Sequence, residues 1–283
     1  MVDVIEGRSF PRESPIDCPL CGAHNAARVI DARYGMKASV AECKPCRLAY
    51  QTPRPTDEAS QAYMNMRWSS ADRYVADAER KLGGARKKAV IARKAAPNAR
   101  TLLDFGAGSG AFVAAARAQG FEAVGVERSE AARARAMDFY GVELLGAVPD
   151  GSTFDVITLW DVVEHLRDPV GLLAWLRDHI IPGGVMILET GNYENWLRLL
   201  KGDRWGLYLL DHQFYFTPES LEEVTRRAGF SGFRVTKRNR HEPEALTTDS
   251  TARDRRRRAV FDEAVARWPK HGAINVMIAV ATA

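Results

Sequence analysis

One segment of the chain, TLLDFGAGSGAF at positions 101–112, joins a short apolar run, an acid and three alternating glycines. The acid is Asp104, and the glycines are Gly106, Gly108 and Gly110. Glycines let a backbone bend sharply and let a ligand approach it closely, and a helix that begins here presents unpaired N–H groups. The pattern therefore predicts a nucleotide-binding corner made of a strand, a turn and a helix.

The corner by itself is compatible with more than one ligand. Gly106, Gly108 and Ala111 match the loose dinucleotide fingerprint G-x-G-x-x-G/A, and Glu127 lies about where that fingerprint places a ribose-binding acid. When Gly110 is taken as the third glycine, the same residues follow a different spacing that starts at Asp104. A dinucleotide and another nucleoside-bearing ligand therefore both remain open on these residues alone.

All four cysteines lie near the N-terminus as two C-x-x-C pairs, Cys18 with Cys21 and Cys43 with Cys46. Each pair turns tightly enough for two thiolates to reach one ion, and four thiolates complete a closed tetrahedral Zn²⁺ shell. Disulfides are the competing interpretation, and a reducing compartment disfavours them. We expect a structural zinc-ribbon-like module. In one interpretation the metal only stabilises a segment that has little core of its own, and in the other the module also covers a substrate cleft.

Two histidines are placed where they can act on a substrate. His165 follows Asp161 by one helical turn, just after the fourth predicted strand, where ligands collect in open parallel sheets. His212 lies in an aromatic-rich insertion after the fifth strand. The hypothesis is that His212 acts as a general base. In the alternative, His165 only bonds to the helix start and His212 only ties the insertion to the sheet.

The elements that must position these residues alternate between strand and helix after about residue 100, as in a parallel sheet. Predicted strands cover 100–105, 120–127, 142–145, 154–160, 185–189, 233–237 and 274–280. Predicted helices cover 111–119, 129–140 and 169–181, and a further helix opens at 217–220. The fold class is therefore α/β, a doubly wound and mostly parallel seven-stranded sheet with a small N-terminal zinc ribbon.

Three domains are expected: a zinc-ribbon-like module at 1–52, a linker and helical lid region at 53–97, and the main domain at 98–283 with an acceptor-site insertion at 190–217. The lid region holds a helix from about Glu58 to Met66 and a long helix at 71–96, which Gly83-Gly84 can break. Its aromatic and methionine cluster is interpreted as packing rather than as a lid over a ligand. The members are Tyr63, Met64, Met66 and Trp68.

Composition limits the class of protein. The 283 residues are 46% apolar and 27% charged, which is ordinary for a folded protein. No apolar run is long enough for a membrane span, and no secretory signal is recognised at the N-terminus, so a cytoplasmic location is expected. The net charge is +4, and the basic runs at 80–88 and 253–258 are interpreted as solvated helix faces. Nucleic acid is an unlikely partner on this charge.

Three motifs in order resemble the class I S-adenosylmethionine-dependent methyltransferases. The first is the acid-x-G-x-G-x-G spacing from Asp104 to Gly110, and the second is FDVITLWDVVEHL at 154–166. The third is LRDHIIPGGVMILE at 176–189. The cysteine module and the DHQFYFT segment at 211–217 are similar to small-molecule methyltransferases of sugar, lipid and natural-product pathways.

The resemblance implies S-adenosylmethionine as the cofactor and assigns its contacts. The helix N-terminus is expected to face the carboxylate of the methionine part. Asp104 is expected to lie near its amino group, and Glu127 is expected to accept hydrogen bonds from both ribose hydroxyls. The other cofactor-binding positions implied are Gly106, Ala107, Gly108, Gly110, Arg128, Trp160 and Asp161. Four aromatic residues are expected as cleft walls that select the acceptor, with ordinary core packing as the alternative for several of them: Tyr193, Trp196, Trp205 and Tyr215.

The expected function is methyl transfer to a small-molecule acceptor, most simply to oxygen. Similar proteins that C-methylate deoxysugars usually continue into an additional C-terminal domain, so the resemblance favours O-methylation. N- or C-methylation and methylation of RNA or protein are the enzymatic alternatives. A non-catalytic S-adenosylmethionine-binding scaffold is the non-enzymatic one.

Overall fold

The computed structural model describes residues 2–5, 8–31, 37–69, 71–238, 251–252, 255–256, 259–260, 263 and 276–283. The strands are β1 (Val2–Ile5), β2 (Arg8–Pro11), β3 (Ala27–Asp31), β4 (Lys37–Cys43), β5 (Leu48–Gln51), β6 (Thr101–Phe105), β7 (Glu122–Val126), β8 (Phe154–Trp160), β9 (Ile180–Gly191), β10 (Phe214–Tyr215), β11 (Gly232–Arg238) and β12 (Val276–Thr282). The helices are α1 (Asp57–Ser69), α2 (Ala71–Ala95), α3 (Ala111–Ala118), α4 (Glu130–Tyr140), α5 (Pro169–Arg177), α6 (Trp196–Lys201) and α7 (Pro218–Arg227). None of the helices among these residues has the length and apolar content needed to cross a membrane.

The main sheet has the order β11-β12-β9-β8-β6-β7, and only β12 runs against its neighbours. Successive side chains of a strand point to opposite faces, so Leu102 and Leu103 enter two different cores. Leu102 packs with Ala89 of α2 and Val113 of α3, and Leu103 packs with Leu173 of α5 on the other face. Helices therefore cover both faces of a mostly parallel sheet, which confirms the predicted fold class.

The sheet has six strands among the described residues, and the prediction of seven was wrong. The predicted third strand at 142–145 makes a single bridge, in which Leu145 pairs with Val126. The backbone then bends at Gly146 and Ala147, so the ladder ends before a strand can form. The other six predicted strands of the main domain are present, with shifted ends; residues 274 and 275 lie outside the described part of the chain.

Two helix predictions also need correction. The helix predicted for 169–181 ends at Arg177, because β9 begins at Ile180 and incorporates the Pro-Gly-Gly turn through a register shift against β8. Helix α2 runs unbroken through Gly83-Gly84. Its buried alanines, Ala85, Ala89 and Ala92, pack against the main domain, and this tertiary packing overrides the low helix propensity of glycine.

The N-terminal segment builds a second sheet in the order β10-β5-β4-β3. Three of its strands come from the cysteine module, and β10 comes from the insertion after β9. Phe214 pairs with Tyr50 and Tyr215 with Ala49. The insertion therefore belongs to the same sheet as the cysteine module.

Candidate functional site

The glycine corner lies between β6 and α3, where sequence analysis predicted it. Gly106 has a φ of 77° and Gly110 one of 76°, a left-handed conformation that favours glycine. A Cβ added at Gly106 would lie 2.7 Å from Val162 Cγ2, and one at Gly110 would lie 2.8 Å from Ala136 Cβ. Both positions therefore need glycine for backbone conformation and for space.

Glu127 follows β7 and is held against the corner by two backbone donors. Its Oε2 accepts from the Gly108 N–H at 3.0 Å, and its Oε1 accepts from the Ser129 N–H at 2.9 Å. Ser129 also caps α4, since its side chain accepts from the Ala132 N–H. The carboxylate is thus oriented by the same turn that starts the next helix.

Asp104 is the buried acid at the corner, with an exposed fraction of 2%. The Thr158 hydroxyl donates to its Oδ1 at 2.7 Å. Burial raises the pKa of Asp104 to about 7, although the Thr158 hydrogen bond and the charge of Lys88 lower it. Asp104 therefore lacks a full counter-charge within the protein. A ligand that places a positive charge beside this carboxylate would bind more tightly for that reason.

Lys88 of α2 reaches the same region and corrects a prediction. Its Nζ lies 2.8 Å from Glu189 Oε1 and 3.9 Å from Asp161 Oδ2, and it sits 4.8 Å from the Trp160 ring centre. The basic run that contains it was interpreted as a solvated face, whereas only 15% of the Lys88 side chain is exposed. The burial of Lys88 was visible in the sequence, because helical spacing puts Lys88 on the same face of α2 as the buried Ala85 and Ala92.

A single cavity of about 780 Å³ extends from this corner to the two predicted histidines. It brings together most of the predicted site residues. Those that line it are Asp104, Gly106, Ala107, Gly108, Glu127, Trp160, Asp161, His165 and His212. Arg128 is exposed and is not among the lining residues. Lys88 and Glu164 also line the cavity, and sequence analysis did not select either.

The far end of the cavity holds Glu164, His165 and His212. The His165 and His212 rings meet edge to face with centres 4.8 Å apart. His165 Nδ1 donates to the backbone oxygen of Asp211 at 2.8 Å, and the Asp211 carboxylate lies 3.7 Å from the same nitrogen. Burial raises the pKa of Glu164 to about 7, although the neighbouring His165 lowers it.

The family of the chain follows from comparison with known proteins. A family model described as a methyltransferase domain matches residues 68–234, which is more than half of the chain. The chain belongs to this methyltransferase family. The predicted resemblance is therefore confirmed, and the cavity lies at the carboxyl ends of the parallel strands in the sheet of a methyltransferase domain.

Curated relatives of this methyltransferase domain match over part of their length. The ubiquinone biosynthesis O-methyltransferase of Cereibacter sphaeroides is 28% identical over 145 residues, which cover 45% of this chain and 59% of the relative. A solved S-adenosylmethionine-dependent methyltransferase from Archaeoglobus fulgidus has a TM-score of 0.51 at 17% identity, covering 70% of this chain and 94% of that one. The plantazolicin methyltransferase, solved with S-adenosylhomocysteine, has a TM-score of 0.51 at 12% identity, covering 79% and 93%. These two structures show the shared fold.

The four cysteines of the methyltransferase come together as predicted. Their sulfur atoms lie within 4.8 Å of one another, and Cys21 Sγ is 3.5 Å from Cys43 Sγ, too far for a disulfide bond. Four thiolates around one Zn²⁺ lie about 3.8 Å apart, because each Zn–S bond is about 2.3 Å long. The arrangement therefore fits a closed tetrahedral zinc shell.

Gln51 of β5 connects the cysteine module to the histidine end of the cavity. Its side-chain amide donates to the backbone oxygen of Leu209 at 2.8 Å and to that of His212 at 2.7 Å. Its own N–H donates to the backbone oxygen of Gln213 at 2.9 Å. Sequence analysis missed this residue because partners about 160 positions away leave no local pattern.

The aromatic residues expected as cleft walls lie elsewhere. Tyr193, Trp205, Tyr208 and Tyr215 are buried against one another and against the cysteine module. None of these four residues, nor Trp196, is among the described residues that line the cavity, so the prediction that Tyr193, Trp196, Trp205 and Tyr215 shape the cleft was wrong. Long aromatic side chains fill the space between module and insertion, which a single sequence cannot distinguish from a ligand pocket.

Two further sequence interpretations concern residues near or beyond the described part of the chain. Tyr63 is buried edge-on to Phe10, with ring centres 5.9 Å apart, which agrees with packing. The side chains of Met64, Met66 and Trp68 lie outside the described part. Arg253, Arg257 and Arg258 of the basic run also lie outside the described residues.

Proposed function

We propose that the protein transfers the methyl group of S-adenosylmethionine to a hydroxyl oxygen of a small-molecule acceptor in a biosynthetic pathway. The observation that carries this proposal is the single cavity that joins the glycine corner to the histidines. Family membership supports the methyl donor, and the O-methyltransferase name of the curated relatives supports oxygen as the acceptor atom. The chain spans only 59% of the relative from Cereibacter sphaeroides, so that protein's substrate is not transferred to this chain.

The donor is proposed to occupy the corner end of the cavity. Its ammonium group pairs with Asp104, which is buried and lacks a full counter-charge. Its ribose hydroxyls donate to Glu127, whose orientation is already fixed by Gly108 and Ser129. The first turn of α3 presents N–H groups toward its carboxylate. Trp160 and Asp161 line the same cavity.

The acceptor is proposed to bind at the histidine end, with its oxygen beside His165 and His212. In the reaction the bond between methyl carbon and sulfur breaks as the bond between methyl carbon and oxygen forms. The sulfonium loses its positive charge, and the acceptor hydroxyl loses its proton. The main contribution of the protein is to align the two reactants and to exclude water, and a means of removing the proton is needed for a hydroxyl of high pKa.

The zinc proposal concerns structure rather than reaction. We propose that Cys18, Cys21, Cys43 and Cys46 bind one Zn²⁺, which would hold the module in the shape that β10 and Gln51 contact. A shell of four thiolates leaves no open position for a substrate. The metal would therefore act on the reaction only by placing the insertion.

The test is a product assay with S-adenosylmethionine and a panel of phenol, sugar and amine acceptors, read by mass spectrometry. The expected result is S-adenosylhomocysteine together with an O-methylated product. His212→Ala should lower turnover while S-adenosylhomocysteine affinity is retained, and His179→Asn, at a half-buried histidine that is not among the residues lining the cavity, is the matched control. Methyl transfer only to amines, or donor binding without turnover on any acceptor, would contradict the proposal. Full turnover by His212→Ala at every pH would remove His212 from the mechanism.

A further inference from the structure

Three side chains at the acceptor end have the composition of a metal site. Glu164, His165 and His212 each offer one ligand atom, and these atoms lie within 4.8 Å of one another. Ligands on one ion at about 2.1 Å are at most about 4.2 Å apart. Small side-chain adjustments would therefore bring all three into contact with a single ion.

Glu164 provides an independent indication that a cation is bound here. The residue is 2% exposed, it lines the cavity, and its Oε2 has no hydrogen-bond partner among the described residues. Leaving a carboxylate oxygen buried and unpaired is unfavourable, and such atoms usually have a functional explanation. A metal ion between Glu164 and the two histidines would supply the missing partner.

The backbone around the three residues holds them in one place. Glu164 and His165 lie in the short 3₁₀ turn Val163–His165, and the Gln213 N–H donates to the backbone oxygen of Glu164 at 2.8 Å. That bond joins the turn to the segment that carries His212. The ligands therefore come from two chain segments that are already tied together.

His165 has the hydrogen bond that metal-binding histidines usually have. Its Nδ1 donates to the backbone oxygen of Asp211 at 2.8 Å, which places the proton on Nδ1 and the lone pair of a neutral imidazole on Nε2. The nearby Asp211 carboxylate, 3.7 Å from that nitrogen and almost fully buried, adds negative charge around the site. The hydrogen bond of His165 and the charge of Asp211 both favour binding of a cation at this site.

We infer that Glu164, His165 and His212 bind a divalent transition-metal ion that holds and activates the acceptor hydroxyl. The inference rests on the proposed function, because it assigns a role to the acceptor end of the same cavity. Two imidazoles with one carboxylate suit Mn²⁺, Fe²⁺, Co²⁺ or Zn²⁺ better than Mg²⁺ or Ca²⁺, which prefer oxygen ligands. Three protein ligands leave coordination positions open toward the cavity.

The ion changes how the acceptor loses its proton. A hydroxyl bound to a divalent metal has a lowered pKa, so its proton leaves to solvent water and the oxygen remains on the metal as an alkoxide or phenoxide. That oxygen attacks the methyl carbon, the carbon–sulfur bond breaks, and the products are the methyl ether and neutral S-adenosylhomocysteine. His212 then acts as a ligand, which replaces the sequence-based hypothesis that it is a general base.

The experiment measures Mn²⁺ binding by electron paramagnetic resonance on the whole 283-residue chain, with the cysteine module loaded with its proposed zinc ion. Mn²⁺ is the probe because it favours oxygen and imidazole ligands over the thiolates of the cysteine module. We expect one Mn²⁺ per chain in the wild type and in the control His179→Asn. Because the loss of a group that merely orients a ligand weakens binding about 10–100-fold, Glu164→Gln and His212→Asn should weaken it by at least about 100-fold.

Other readouts keep the result interpretable. Retained S-adenosylhomocysteine affinity in Glu164→Gln and His212→Asn would show that both variants fold. Absence of Mn²⁺ binding in the wild type, or equal binding in the folded variants, overturns the inference. O-methylation that persists in metal-free protein also overturns it and leaves the proposed function intact. Mn²⁺ binding that depends on these residues, with methyl transfer only to amines, supports the site and counts against the proposed function alone.

Discussion

The two ends of the cavity are assembled from very different lengths of chain. The corner end comes from one strand, turn and helix, with Glu127 only 19 residues from Gly108. The histidine end joins a turn at 163–165 to the segment at 211–213, and that segment is held by Gln51, 161 residues away from His212. The corner therefore depends on local backbone geometry, whereas the histidine end depends on packing between the cysteine module and the insertion.

The comparison predicts that the largest effect comes from filling the corner. Gly110→Ala places a Cβ 2.8 Å from Ala136 and strains a φ of 76°, so it should lower the free energy of unfolding by roughly 2–5 kcal/mol. Chemical denaturation measures this change. Gly83→Ala is the matched control, because its Cβ meets nothing within 4 Å inside α2, and it should stabilise the protein by about 1 kcal/mol. Similar losses for both variants would show that the corner is not tightly packed.

Disrupting the cysteine module should impair the histidine end of the cavity and leave the corner end unchanged. Cys43→Ser removes one of the four proposed zinc ligands, which loosens β4 and β5 and with them the support of the insertion. We expect methyl transfer to fall about 100-fold, because a small misplacement of reacting groups has effects of that size. S-adenosylhomocysteine affinity should stay unchanged by calorimetry.

The control for this variant is Ser14→Ala, an exposed serine in the same N-terminal segment, which should leave zinc content and turnover unchanged. If donor affinity falls together with turnover in Cys43→Ser, the two ends are not independent. If zinc is absent from the wild type, the zinc proposal is wrong.

Gln51 gives a finer test of the same connection. Gln51→Leu removes the amide donor and leaves the backbone oxygens of Leu209 and His212 buried without that partner, a cost of about 1–3 kcal/mol in the free energy of unfolding. We expect a lower kcat/KM for the acceptor with unchanged S-adenosylhomocysteine affinity. Gln119→Leu, at an exposed residue directly after α3, is the matched control, and equal effects in both variants would argue against a positioning role for Gln51.

The smallest expected effect is a pH dependence of the corner end. Burial raises the pKa of Asp104 to about 7, and the proposed ammonium contact needs its charged form. Donor affinity should therefore fall as the pH drops below about 7, by up to about tenfold per unit, since protonated Asp104 must lose its proton to bind. Calorimetry of S-adenosylhomocysteine binding at pH 6 should detect that proton release. Asp104→Asn should bind weakly at every pH, and a pH dependence that survives in this variant would assign the titration to another group.

The corner was predictable from the sequence because its determinants are neighbours in the chain. The spacing from Asp104 to Gly110 reflects a turn that only glycine fits, and the N-caps at Ser129 and Thr217 are observed as predicted. The paired cysteines were predictable for the same reason, since each knuckle is a local turn. Such features need no knowledge of the tertiary structure.

The histidine end was predictable only in part. His165 and His212 were selected as single residues, but their meeting and the addition of Glu164 depend on how the insertion returns over the sheet. Lys88 was assigned to solvent because its neighbours are charged, and helical periodicity against the alanine stripe would have corrected this. The aromatic residues of the insertion were assigned to the cleft because a hydrophobic core and a ligand pocket both contain large aromatic side chains, so the sequence does not distinguish them.

The pairing of β10 with β5 has a consequence for synthesis on the ribosome. Until Phe214 and Tyr215 emerge, β5 has an open edge, because its second partner lies 164 residues downstream of Gln51. Open strand edges are sites of unwanted pairing with other chains. The edge of β5 therefore stays unpaired while the ribosome synthesises all the residues of the corner end. The acceptor end is complete only after β10 of the insertion has paired with β5.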